Sequence, residues 1–190
     1  MPRKDIDFRT SDRVTLRGWL YTSAGDSTKK LPCFIMSHGW SAVKEIDLDA
    51  FAEYFRTHLA LTTLVYDQRG FGTSDVKAGS PRLEINPREQ QSDVSDAVTF
   101  AQTMPEVDAA RVGAWGTSVS AVAGNVLYTG AVDRRIKVVR CQRHSMRPMV
   151  DGWDNFNRLI RFDFQGGMEQ AFAGDESHGS PVRASTLTQS

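Results

Sequence analysis

The chain has 190 residues, 40% apolar and 24% charged, which suits one soluble globular domain with its own core and is too short for two. Lys plus Arg and Asp plus Glu are 23 each, so the formal net charge is zero and bulk charge draws the chain neither to nucleic acid nor to an anionic membrane. No apolar run approaches the ~20 residues of a spanning helix, residues 1–5 lack the apolar core of a signal peptide, and Cys33 and Cys141 have no motif spacing, so the expectation is a cytoplasmic protein without disulfides or a membrane segment.

In chain order, Asp5 to Thr10 reads as a short strand and Ser11–Arg13 as a turn. Val14 to Tyr21 alternates apolar and polar, the signature of a half-exposed strand. These two strands suggest an antiparallel start. Leu31–Met36 is a continuous apolar run, read as a buried strand with Cys33 as a small buried hydrophobe, and it ends in Ser37-His38-Gly39-Trp40. A helix pattern covers about Ile46 to Leu59, and Leu61 to Tyr66 is the next buried strand. That strand runs into the glycine-rich loop Asp67-Gln68-Arg69-Gly70-Phe71-Gly72-Thr73-Ser74, where Asp67 and Arg69 are expected to form a structural ion pair. From Arg88 to Met104 the apolar residues Val94, Ala97, Val98 and Ala101 share one helical face, and Pro105 ends the helix. A strand from Arg111, a helix, and a strand at Ile136–Val139 complete the readable part. Strands alternating with helices predict an α/β fold with a mostly parallel sheet covered on both faces.

Two places break the pattern. Residues 140–148 form a basic run that reads as irregular, and the polar tail 173–190 reads as a disordered terminus, leaving a core over residues 1–172.

The stretch Gly116-Thr117-Ser118-Val119-Ser120 fits the nucleophile elbow G-x-S-x-G except at its last position. In that motif a serine sits on a sharp strand-to-helix turn, so its Oγ stands clear of the backbone. Both flanking positions must be small because strand and helix nearly touch. The competing reading is a strand-to-helix turn with a capping serine. The G-x-G-x-x-G spacing of a dinucleotide site is absent.

A nucleophilic serine needs oxyanion donors, a base and an acid that orients the base. The backbone N–H groups of Val119 and of Trp40 are the candidate oxyanion donors, Gly39 allowing close approach. His38 precedes that loop and is expected to be structural. His58 falls near a helix end, where a cation suits the dipole, and is expected at the surface. The expected chain order is Ser, then Asp or Glu, then His. Only His144 and His178 follow Ser118, and neither follows a recognisable strand. His178, three residues after Asp175, is the candidate base with Asp175 as its acid.

Taken together, Ser37-His38-Gly39-Trp40, Tyr66-Asp67-Gln68-Arg69-Gly70-Phe71-Gly72 and Trp115-Gly116-Thr117-Ser118 resemble the α/β-hydrolase fold. The run Pro105-Glu106-Val107-Asp108, then Arg111-Val112-Gly113, and later Met149-Val150-Asp151-Gly152-Trp153-Asp154-Asn155-Phe156, are similar to the fungal polyketide transferase and thiohydrolase group. The resemblance covers about residues 5–172. It implies Ser118 as acyl acceptor, a polyketide-type acyl thioester as substrate, delivery by a polyketide synthase carrier protein, water or an alcohol as acceptor, and no metal or organic cofactor. It also implies two further strands after Trp153 that carry the acid and the histidine. The expectation is therefore an α/β-hydrolase core missing its last strands, through a truncated or mis-spliced gene model or as a short paralogue. Ser120 departs from the usual glycine, and the run 140–148 interrupts a matching region.

Two functions remain open at this point. One is a serine-dependent acyl-transfer enzyme. The other is a non-catalytic hydrolase remnant that binds a ligand or partner.

Overall fold

The computed structural model describes residues 3–23, 29–39, 42–46, 48–117 and 121–142, with 121–124 and Gln142 described by backbone alone. The chain divides into two units, Met1–His144 and Ser145–Ser190, and every described residue belongs to the first. The expected boundary at 172 and the tail 173–190 fall outside the described residues.

Strand β1 (Arg3–Arg9) pairs antiparallel with β2 (Thr15–Tyr21), from Arg3 opposite Tyr21 to Arg9 opposite Thr15. The alternation in β2 sets its burial: Leu16, Gly18 and Leu20 are buried, while Thr15, Arg17 and Trp19 are half-exposed. The apolar runs become β3 (Leu31–Ser37) and β4 (Thr62–Tyr66), buried along nearly their whole length. Strands β5 (Val107–Thr117) and β6 (Ile136–Gln142) complete a six-stranded sheet of order β1-β2-β4-β3-β5-β6. From β4 through β6 the neighbours are parallel; β2 meets β4 antiparallel.

Helices cover both faces, and the period of two along β3 shows how. Cys33 and Ile35 share a core with Val94, Ala97, Val98 and Ala101 of α2 (Pro87–Thr103) and Val126 of α3 (Ala121–Val132). Phe34 lies on the other side, with ring centroids 6.3 Å from Phe55 of α1 (Leu48–His58) and 6.1 Å from Trp115 of β5. Trp115 also meets Phe51 and Phe55, at 5.5 and 5.3 Å. A side chain at Gly113 would collide with Phe34 and Val138, its Cβ falling 2.6 Å from each, so this aromatic layer requires glycine there.

Helix α2 forms where its sequence permits. The Asn86 side chain caps it by accepting from the Glu89 N–H at 3.4 Å, Pro87 opens the first turn, and Met104 is already extended because Pro105 follows. Two elements differ from expectation. Strand β5 begins at Val107, ahead of Arg111, with a register shift against β3 between Leu31 and Cys33. Strand β6 continues to Gln142, so the start of the basic run 140–148 is strand; Arg140, Cys141 and Gln142 stay in register with Trp115, Gly116 and Thr117 of the longer β5. Among the described residues no helix is long and apolar enough to cross a membrane.

Candidate active site

The parallel strands β3 and β5 are neighbours, with Ser37 in register with Gly116. The segments that follow Ser37 and Thr117 therefore leave adjacent strands at the same edge of the sheet. In open α/β sheets that carboxyl edge is where ligands are bound. Strand β5 is described to Thr117 and helix α3 from Ala121, a central strand and the helix next along the chain. Ser118, Val119 and Ser120, which fall between them in sequence, lie outside the described residues, as do Trp40, His144, Asp175 and His178.

What is described is the frame around that edge. His38 is 1% exposed and sits under Phe71, whose ring centroid is 5.8 Å away. The Gln68 backbone N–H donates to His38 Nε2 at 3.0 Å, so Nε2 is the unprotonated nitrogen. Nδ1 then carries the proton and donates to the Gly39 carbonyl at 3.0 Å. Burial lowers the pKa of the ring, which keeps it neutral in this role. The Gln68 side-chain amide also donates to the His38 carbonyl at 2.9 Å. These bonds give His38 a structural part, as its sequence position implied. His58 ends α1 at the surface, stacked on Tyr54 with centroids 4.2 Å apart.

The expected ion pair between Asp67 and Arg69 does not form. Asp67 is fully buried and takes Lys44 as its partner, Nζ donating at 2.7 Å and the backbone N–H at 2.8 Å. It also accepts from the Thr73 N–H at 2.9 Å and the Thr73 hydroxyl at 3.0 Å. Burial acts against its charge, but the donors from Lys44 and Thr73 outweigh it and lower its pKa. Burial likewise acts against the Lys44 ammonium, and the carboxylates of Asp67 and Glu45 outweigh it and raise that pKa. Lys44 Nζ also lies 4.7 Å from the Trp19 ring centroid. Gly72 (φ 47°) passes so close that a Cβ there would sit 2.2 Å from the Asp67 carboxylate.

Arg69 turns to the opposite side. It makes a two-pronged contact with Asp93 of α2 at 2.7 and 2.6 Å, another with Asp12 at 2.9 and 3.1 Å, and reaches Glu89 at 3.0 Å. Burial pushes Asp93 up to about 6, whereas the Arg69 guanidinium holds Asp12 down at about 2. Two residues apart in sequence, Asp67 and Arg69 looked like natural partners; each found a better one on another element. Gln68 and Thr73 lie within the glycine-rich loop read from the sequence, which gave them no role of their own, and Lys44 carried no motif. Its only sequence signal was its place shortly after Ser37-His38-Gly39-Trp40.

No protein-family model matches the chain. It is 39% identical over 152 residues to a thiohydrolase of Eupenicillium brefeldianum, an alignment that takes in 79% of this chain and 46% of that protein. It is 35% identical over 159 residues to the polyketide transferase grgF of a Penicillium species, covering 83% of this chain and 49% of the relative. The crystal structure of the α/β hydrolase GrgF from Penicillium sp. sh18 superposes with a TM-score of 0.67 at 34% identity, over 74% of this chain and 45% of that one. The chain spans about half the length of the curated relatives it matches.

Proposed function

The chain belongs to the α/β-hydrolase superfamily and resembles its fungal thiohydrolases and polyketide transferases, and from that premise we propose that it carries out serine-dependent acyl transfer on a polyketide-type acyl thioester. The observation that carries this reading is the register of β3 and β5, which brings the ends of the two strands, Ser37 and Gly116, side by side at one edge of the sheet. In this reading the nucleophile follows one strand end in sequence and an oxyanion donor follows the other, and both serve a single carbonyl.

In this reading Ser118 Oγ attacks the thioester carbonyl carbon. The N–H groups of Val119 and Trp40 take the charge that develops on oxygen. The C–S bond breaks, the thiol leaves with the serine proton, and the acyl group remains on Ser118. Water or an alcohol then attacks the ester and releases the acid or a new ester. A neutral serine hydroxyl is a poor nucleophile without a base, and His178 with Asp175 is the pair this chain offers. In the same reading the acyl group is delivered by a carrier protein of a polyketide synthase.

The test is thioester hydrolysis by the purified 190-residue chain, with Ser118→Ala and His178→Ala beside it. Because neither later histidine follows a recognisable strand, turnover by this chain is expected to be slow and to vanish in Ser118→Ala. Turnover in Ser118→Ala equal to that of the unsubstituted chain overturns the assignment. Loss in His178→Ala as well assigns the base to the polar tail.

A further inference from the structure

The charges gathered by Arg69 do more than fill the space beside the loop after β4. Every nitrogen of the guanidinium faces a carboxylate. Nε and Nη2 donate to Asp93 at 2.7 and 2.6 Å, Nη1 and Nη2 donate to Asp12 at 2.9 and 3.1 Å, and Nη1 lies 3.0 Å from Glu89. Asp12 sits in the turn between β1 and β2, while Glu89 and Asp93 belong to α2. One helical turn beyond Asp93, Asp96 accepts from the Ser11 backbone N–H at 2.8 Å and from the Ser11 hydroxyl at 3.0 Å. The β1–β2 turn is thus held on α2 by two neighbouring contacts, and carboxylates make both. The shape of the turn is fixed separately: the Thr10 N–H donates to the Val14 carbonyl and the Val14 N–H to Thr10 Oγ1, each at 2.9 Å.

This junction holds more negative charge than its one buried cation offsets. Around Asp93 stand Arg69 from the loop, Asp12 from the turn, and Glu89 and Asp96 from α2 itself. Tyr66 of β4 also senses Asp93, and burial raises its pKa, so the phenol is neutral. Toward the sheet, α2 meets an apolar core. Two further cations act on the outer carboxylates, Lys77 on Asp12 and Arg135 on Asp96. Like charges gathered this closely are relieved when one of them takes a proton. Exposure selects which one: the Asp93 side chain is 1% exposed, against 31% for Asp12 and 35% for Glu89. Burial pushes Asp93 up to about 6 against the pull of the Arg69 guanidinium.

We propose that the β1–β2 turn is a proton-operated clamp on α2: Asp93 takes up a proton while the turn is docked, so the turn grips the helix more firmly in mild acid than at neutral pH. Lifting the turn removes Asp12 and opens Asp93 to water, which returns its carboxyl toward the ordinary value of about 4. A carboxyl that holds its proton more tightly docked than open favours docking at low pH, and that preference is lost as pH rises through about 6. The clamp is separate from acyl transfer and needs no part of the serine assignment.

The test follows side-chain carboxyl carbon resonances and backbone amide exchange of the 190-residue chain by NMR from pH 7 to 5, beside Asp93→Asn, which fixes the neutral form. Two amides divide the result. The Ser11 N–H is bonded to α2 and reports docking, whereas the Thr10 N–H is bonded within the turn and reports the turn's own integrity. The Asp93 carboxyl carbon is expected to titrate within this range. Protection of Ser11, corrected for the intrinsic pH dependence of exchange, is expected to rise about tenfold from pH 7 to 5 while that of Thr10 holds. In Asp93→Asn, Ser11 is expected to stand at the pH 5 level throughout. An Asp93 carboxyl that stays ionised to pH 5, or a proton taken by Asp12 or Glu89 in its place, overturns the proton site. Asp93 titration with Ser11 protection unchanged, or with Ser11 and Thr10 rising together, overturns the clamp. So does a Ser11 response shared by Asp93→Asn, which keeps every histidine. The titration and the two amides are read in the unsubstituted chain, and they decide the clamp even where the variant does not fold.

Discussion

Two buried polar clusters flank the loop after β4, and they are built on opposite plans. On one side a single carboxylate, Asp67, gathers four donors from Lys44 and Thr73. On the other a single cation, Arg69, gathers three carboxylates from Asp12, Glu89 and Asp93. The first is rich in donors, so its charge is held firmly and every bond is directional. The second is rich in negative charge, and one member, Asp93, is raised to about 6 by its burial. The first registers loop against loop at the candidate site. The second ties the β1–β2 turn and α2 to the loop after β4. A group that can take up a proton has a way to relieve the loss of its partner; a buried ammonium left with one exposed carboxylate, Glu45, has a poorer one.

That contrast can be broken most sharply at Asp67. Asp67→Ala leaves the Lys44 backbone N–H and the Thr73 donors without their acceptor and the Lys44 ammonium with only the exposed Glu45 carboxylate, and is expected to cost about 3–5 kcal/mol in urea unfolding. Arg69→Met is expected to cost less, about 2–3 kcal/mol at pH 7, since Asp93 can then protonate. The sign follows from its pKa. Asp93 binds its proton more tightly folded than unfolded, so acidification through about pH 6 favours the folded state, and the deficit of Arg69→Met shrinks as pH falls from 7 to 5. A deficit that stays constant over that range contradicts the protonation argument.

Val98→Ala probes the apolar core between the clusters and the sheet. Val98 is fully buried, and the truncation is expected to cost about 2 kcal/mol with no dependence on pH between 5 and 8. The smallest effect is at Asp12. Its pKa is lowered to about 2 by the Arg69 guanidinium, so it contributes stability above the ordinary carboxylate value that is lost as pH falls toward 2. Asp12→Asn is expected to cost under about 1 kcal/mol at pH 7 and to flatten the fall in melting temperature between pH 4 and 2. An acid limb as steep as that of the unsubstituted chain counts against the Asp12–Arg69 contact.

Much of the architecture could be read before any coordinates. The apolar run at Leu31–Met36 is β3, the shared face of Val94, Ala97, Val98 and Ala101 is the buried face of α2, and the break at Pro105 is where that helix has ended. Local rules sufficed there, because burial period and backbone chemistry act within a few residues. The candidate site was legible as motif fragments around His38, Asp67 and Gly116, and His38 was rightly set aside as structural. The pairing of charges was not legible. Asp67 and Lys44 are 23 residues apart, and Arg69 and Asp12 are 57 apart.

The sequence by itself determined the kinds of element and their order, including the strand that precedes Ser118 and the helix that follows it in sequence. It did so because side-chain periodicity, caps and prolines constrain the backbone locally. Only the tertiary structure decided that β3 and β5 lie side by side, that β6 runs on to Gln142, and that Lys44 rather than Arg69 answers Asp67. Those outcomes depend on which distant residues share one dehydrated space. There each buried charge must find its strongest available partner, whatever its distance along the chain.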